Sequence, residues 1–146
     1  MVWFPHITVA TVVENQGRFL LVEEKADDLI VYNQPAGHLE ADESLIQAAE
    51  RETLEETAWE VRVTDFLGLY HYVSPVNGIT YVRHCFIAEP VRLHEDRQLD
   101  QEILRAVWLA PDQVRALGPQ LRSPAVWQGI EDYLLGIRYP LTILRL

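Results

Sequence analysis

The sequence predicts an α+β fold, and three features carry that prediction. Runs rich in β-branched and aromatic residues fill the first two-thirds of the chain. One helix-forming stretch is set among them, and helical segments close the chain. No internal repeat, low-complexity tract or long linker breaks this order, so residues 1–146 are expected to form one domain around a single core.

Residues 6–13 and 18–23 read as two strands joined at Glu14-Asn15-Gln16-Gly17, the pattern of a β-hairpin. Asp27-Asp28 marks a loop, residues 29–32 a short strand, and Gln34-Pro35-Ala36-Gly37 reads as punctuation between elements. Residues 44–57 hold helix formers without Gly or Pro, and Asp42 or Ser44 can serve as N-cap. Residues 60–72 and 80–88 read as strands around a turn at Ser74-Pro75 and Asn77-Gly78. A polar loop over 94–101 and a short strand over 106–109 follow. Pro111 opens a helix over 111–117 at the position proline favours, and residues 124–135 form another, closed by Gly136.

Twelve Lys and Arg against 22 Asp and Glu leave a net charge of −10, which argues against a grip on polymeric nucleic acid through its phosphates. A small phosphorylated substrate stays open, provided divalent cations sit between protein carboxylates and phosphate. At 49% hydrophobic and 23% charged, the composition is that of a soluble globular protein and excludes collagen, a coiled coil and a disordered tail. The apolar run at 7–13 falls far short of the roughly 18–20 residues that span a membrane. The opening Met-Val-Trp-Phe-Pro-His lacks a basic n-region and a long apolar h-region, so no signal peptide is expected. One cysteine, Cys85, supports neither an intramolecular disulfide framework nor a Cys-based zinc site. A reducing, cytoplasmic setting is the expectation.

Chemistry concentrates in residues 37–59, GHLEADESLIQAAERETLEETAW. At about 100° per residue, Glu55 lies about 60° to one side of Glu52 and Glu56 about 40° to the other. The three carboxylates therefore share one arc, with Ile46, Ala49, Thr53 and Thr57 on the adjoining one, small or apolar enough to pack on a sheet. Like charges at this spacing repel by a few tenths of a kcal/mol per pair. A hard divalent cation such as magnesium, which takes oxygen ligands, would gather them. The competing reading is a solvated acidic helix face.

The segment resembles the Nudix box, G-x5-E-x7-R-E-U-x-E-E-x-G-U with U a bulky apolar residue. Gly37, Glu43, Arg51, Glu52, Glu55 and Glu56 fall at the required spacing. Three positions depart: Thr53 and Trp59 replace aliphatic residues, and Ala58 replaces the closing glycine, where a left-handed helix exit favours Gly. The resemblance implies an α/β/α sandwich on a mixed sheet, and hydrolysis of a phosphoanhydride in a nucleoside diphosphate-like substrate. It implies Mg²⁺, with Mn²⁺ as an alternative, on Glu52 and Glu56, with Glu55 shared and the Ala36 carbonyl adding an oxygen. Glu43 and Arg51 would form a structural ion pair, and Glu102, ahead of Trp108, would be a further ligand or the general base. Glu55, Glu56 and Glu102 are thus the candidate catalytic groups.

Outside the box, Glu23-Glu24, residues 33–43, Leu121-Arg122-Ser123-Pro124 and Arg138-Tyr139-Pro140-Leu141 resemble the NudJ-like phosphatase branch of that family. The branch implies action on nucleoside di- and triphosphates and on thiamine-pyrimidine pyrophosphate. Pro75, sixteen positions after Trp59, resembles instead a marker of ADP-ribose pyrophosphatases, although a Ser-Pro turn explains it equally well. A catalytically silent nucleotide-binding module and a purely structural role are the remaining alternatives. Arg18, His38 and Arg83 are candidate phosphate contacts, each also readable as an ordinary strand or loop residue. Tyr32 and Tyr72 read as core aromatics or as base-stacking groups, Cys85 as a buried small hydrophobe, and Arg122 as a closing residue or part of a homodimer contact.

Overall fold

A computed structural model describes residues 2–145. Its elements in chain order are β1 His6–Asn15, β2 Arg18–Ala26, β3 Leu29–Asn33, β4 Ala36–His38, α1 Leu45–Thr57, β5 Trp59–Val73, β6 Thr80–Leu93, β7 Ile103–Leu109, α2 Pro111–Leu117 and α3 Pro124–Leu134. The strands form a mixed sheet in which β1 runs parallel to β6 and antiparallel to β2 and β4. β5 completes one side on β6, and β3 and β7 flank β2 on the other.

The β1–β2 hairpin turns through Gln16 and Gly17, both at positive φ, as a tight two-residue connection requires. Strand pairing covers only Glu14↔Phe19 and Asn15↔Arg18 before β1 and β2 part. β1 then pairs with β4 through Thr8↔His38, Val9↔Gly37 and Ala10↔Ala36, and β2 with β7. The separation opens the sheet between β4 and β2, next to α1.

Alternation along the strands sends side chains to two cores. Val9, Val13, Leu20, Phe66 and Phe86 pack with Ala48 and Ala49 of α1. Val12, Leu21, Leu67, Cys85 and Ile87 pack with Val114 of α2 and Val126 and Ile130 of α3. Helices thus cover both faces of the mixed sheet, the α/β/α sandwich that the box resemblance implies. Among the described residues no helix is long and apolar enough to cross a membrane.

Ser44 caps α1: its hydroxyl accepts the Gln47 N–H at 3.0 Å, and Gln47 Oε1 accepts the Ser44 N–H at 2.8 Å. Ala58 ends the helix in the left-handed region, φ 64°, where the sequence lacks the usual glycine. Thr53 replaces an aliphatic residue without loss because its hydroxyl is satisfied, meeting Thr11 Oγ1 at 2.8 Å and the Ala49 carbonyl at 2.8 Å. Trp59 meets Trp108 edge-on at 5.6 Å, which uses the bulk that an aliphatic residue would not supply.

Several elements depart from their expected bounds, β2 running on to Ala26 among them. Residues 36–38, read as punctuation, form β4, because the open edge of β1 pairs with a segment that carries no strand propensity of its own. β6 continues past residue 88 to Leu93, with Pro90 opposite Val61 beside a register shift that tolerates its missing N–H. β7 begins at Ile103, three residues earlier than its apolar run.

Candidate active site

The carboxylates stand where β1 and β2 part. Glu52, Glu55 and Asp100 each place a carboxylate oxygen so that all three atoms lie within 4.8 Å of one another. Glu52 and Glu55 come from one face of α1, as the helical spacing requires. Asp100 comes from the β6–β7 loop, which is tied to the helix end by its own N–H on the Glu55 carbonyl at 3.1 Å. Glu56 stands beside them on α1, 7% exposed, and its Oε1 accepts the Ala36 N–H at 2.9 Å.

Burial dominates the electrostatics. It pushes the Glu56 carboxyl up to about 9, reinforced by the charges of Glu24, Glu52 and Asp100. Glu52 and Asp100 are raised for the same first reason, Asp100 further by Glu55 and Glu102. A cluster of raised carboxyls with only oxygen donors fits a hard divalent cation, which would neutralise the repulsion. Gly37 lies against this group: a Cβ there would fall 2.1 Å from the Glu52 carboxyl carbon.

Arg51 joins the β4–α1 loop to the carboxylates. Its Nε and Nη2 donate to the two oxygens of Glu43 at 2.9 and 2.7 Å, a fork that keeps the Glu43 carboxyl below its usual range. Nη1 donates to Glu52 and Glu55 at 2.8 and 2.9 Å, and Nη2 to the His38 carbonyl at 3.1 Å. The loop from β4 to α1 is thereby stapled to the helix that carries the carboxylates.

The other expected residues fall in different places. Glu102 is exposed, and its carbonyl accepts the Lys25 N–H at 3.0 Å. Its carboxylate is not in the three-acid group, although its charge is felt at Asp100. His38 is exposed, and its Nε2 meets His6 Nδ1 at 2.9 Å. Burial and then His6 lower its pKa, favouring the neutral ring. Arg18 lies exposed beside Asn15, Gln16 and Trp108, without an ion pair to the carboxylates among the described residues. Arg83 lies inside the sheet, donating to Asn33 and Gln34.

Two features escaped the sequence reading. Asp100 had no spacing signal to separate it from Glu95, Asp96 and Glu102 in one acidic loop. Glu24, 5% exposed on β2, accepts Arg122 Nη1 at 2.7 Å, while the Arg122 N–H donates to the Tyr32 carbonyl at 2.8 Å. Glu23-Glu24 and Leu121-Arg122-Ser123-Pro124, distant in sequence, are thus joined in space. Tyr32 donates its hydroxyl to Glu23, and Pro75 sits in the β5–β6 turn closed by Ser74 N–H to Ile79 O at 3.0 Å.

A NUDIX domain family model matches residues 4–127. The chain is 37% identical over 140 residues to Phosphatase NudJ of Escherichia coli strain K12, covering 96% of this chain and 90% of that protein. A NUDIX hydrolase from Nitrosomonas europaea is 46% identical with a TM-score of 0.96, covering 98% of this chain and 97% of that one. An ADP-ribose pyrophosphatase from Streptococcus suis matches at a TM-score of 0.69 and 15% identity, covering 90% and 92%, a likeness of fold alone. Family, sandwich and box agree: the chain belongs to the Nudix hydrolases, enzymes that cleave pyrophosphate linkages in small phosphorylated compounds and generally use divalent metals, and its likeness is to the NudJ-like phosphatases.

Proposed function

We propose that the chain hydrolyses phosphoanhydride bonds in small nucleoside di- and triphosphates or in thiamine-pyrimidine pyrophosphate, in the presence of Mg²⁺. The convergence of Glu52, Glu55 and Asp100 carries this reading, since Arg51 pairs with Glu52 and Glu55 while Asp100 joins them from a separate loop with no ion pair of its own among the described residues. Glu52, Glu55, Glu56 and Asp100 would hold the cation, with the Ala36 carbonyl as a further oxygen. When bound, that ion supplies charge neutralisation for the phosphates and acidifies water.

The chain's own residues divide the remaining work. Glu55, with 29% of its side chain exposed, and Glu102 on the open loop are the carboxylates placed to take a proton from water. Glu56, fixed by Ala36, holds its carboxylate in one orientation. Arg51 and Glu43 keep the loop in place, so that the carboxylates need no rearrangement to receive a substrate. His38 and Arg18 present exposed donors to a phosphorylated compound.

Purified protein incubated with Mg²⁺ and a panel of nucleotides, ADP-ribose and thiamine-pyrimidine pyrophosphate tests the reading. Phosphate released without added pyrophosphatase supports it. AMP and ribose phosphate from ADP-ribose would assign the rival specificity, and binding without turnover across the panel would make the chain a silent module.

A further inference from the structure

Arg83 enters the sheet interior from β6 as a cation without an anion. Its Nη2 donates to Gln34 Oε1, and both Nη atoms reach Asn33 Oδ1 at 3.4 Å. Nε is buried and has no hydrogen-bond partner. Among the described residues no carboxylate lies within 4.0 Å of the guanidinium. Glu56 acts on it only at a distance, and the groups in contact with it are neutral. Asn33 and Gln34 are amides, the Cys85 thiol is pushed up to about 11 by burial, and the Tyr70 hydroxyl is committed to Asp132 at 2.6 Å. Burial lowers the Arg83 pKa, but a guanidinium starts so high that it keeps its charge.

A buried, charged group is tolerated when it is paired, and this one is not. Its setting is also rigid. Gln34 is buried and fixed by its own Nε2 on the Val126 carbonyl at 2.7 Å, which turns its amide oxygen toward Arg83. Two residues further along the chain, Ala36 binds Glu56, and the Glu56 charge is among those felt at Arg83. Arg83 is not sealed off as a whole, because the residue keeps partial exposure while its Nε is covered. An incoming anion would meet the Nη edge of a guanidinium already held in place by Asn33 and Gln34.

We infer that Arg83, framed by Asn33 and Gln34, binds the phosphoryl group adjacent to the one attacked. The inference rests on the hydrolase reading above and adds a protein contact to it. Of the two phosphoryl groups of the cleaved linkage, one falls to the carboxylate cluster and its cation and the other to Arg83. Monophosphates bind weakly at Arg83 and are not turned over.

The test is calorimetric titration of the protein in Mg²⁺ with methylenediphosphonate, as a pyrophosphate that is not cleaved, and, separately, with inorganic phosphate, for wild type, Arg83→Gln and Arg83→Lys. Wild type binds the diphosphonate more tightly than phosphate. Arg83→Gln weakens diphosphonate binding about ten- to hundredfold, and Arg83→Lys, which keeps charge but loses the fork, falls between. Melting in anion-free buffer shows Arg83→Gln folded, with a midpoint equal to or above wild type, because an unpaired buried charge has gone. Diphosphonate binding that is absent in wild type, or equal in wild type and Arg83→Gln, overturns the inference. Magnesium-dependent turnover alongside that second result leaves the hydrolase reading standing while the anion site falls. Arg83-dependent diphosphonate binding in a protein without turnover does the reverse.

Discussion

The Ala36 backbone N–H donates to Glu56 Oε1 at 2.9 Å and ties strand β4 to helix α1 where β1 and β2 part. This bond favours the ionised carboxylate, but burial outweighs it and holds the Glu56 pKa high.

Burial lifts the Glu56 carboxyl from 4.5 to about 9 in the folded protein. The folded state then keeps a proton that the unfolded chain releases above pH 4.5. The contribution to stability is full below pH 4.5 and is lost as pH rises to about 9. Melting midpoints of metal-free protein are expected to fall across that window. Glu56→Gln keeps an acceptor oxygen for Ala36 but cannot ionise, and flattens the slope. A slope as steep in the variant as in wild type contradicts the assignment.

Gly37→Ala separates metal affinity from folding. The new Cβ would fall within 2.4 Å of the Glu52 carboxylate, which sits at the end of a flexible side chain and can swing away while the backbone stays. Manganese affinity, read by calorimetry, is expected to drop about tenfold or more with a loss of less than about 1 kcal/mol in stability. Unchanged affinity would mean that the Glu52 position is immaterial to the cation.

The acidic loop offers a direct comparison. Asp100 shares the three-acid group and Glu102 does not. Asp100→Asn is expected to weaken manganese binding about tenfold or more, and Glu102→Gln much less. If Glu102→Gln still slows turnover while metal affinity holds, Glu102 serves as the base. The reverse order of metal affinities would remove Asp100 from the site.

Much of this was legible because it is local. The i, i+3, i+4 spacing of Glu52, Glu55 and Glu56 places them on one helical arc in any context, and of the two N-caps the sequence offers, Asp42 and Ser44, the helix uses Ser44. The hairpin, the closing helices and Cys85 as a buried small residue were equally readable from turn residues and apolar runs. What stayed hidden depends on distant partners. β4 exists because β1 has a free edge, Asp100 reaches the cluster because its loop hydrogen-bonds to the helix end, and the Glu24–Arg122 pair joins residues 98 positions apart. No periodicity in one strand or loop encodes such pairings.

Ala58 occupies φ 64°, a conformation that disfavours any residue with a Cβ. Ala58→Gly relieves that strain at the helix exit and is expected to stabilise the protein by about 0.5–1 kcal/mol, a rise in melting midpoint of a few degrees. A lower midpoint would show that the packing of the buried Ala58 methyl outweighs its backbone strain.

Turnover of a nucleoside diphosphate by wild type and Glu56→Gln, each with Mg²⁺ and with excess EDTA, tests the central claim most directly. Wild type is expected to release phosphate only with Mg²⁺, and folded Glu56→Gln to lose about a hundredfold or more of that rate. Phosphate release that persists in EDTA, or that Glu56→Gln leaves intact, would contradict the placement of a catalytic cation on these carboxylates.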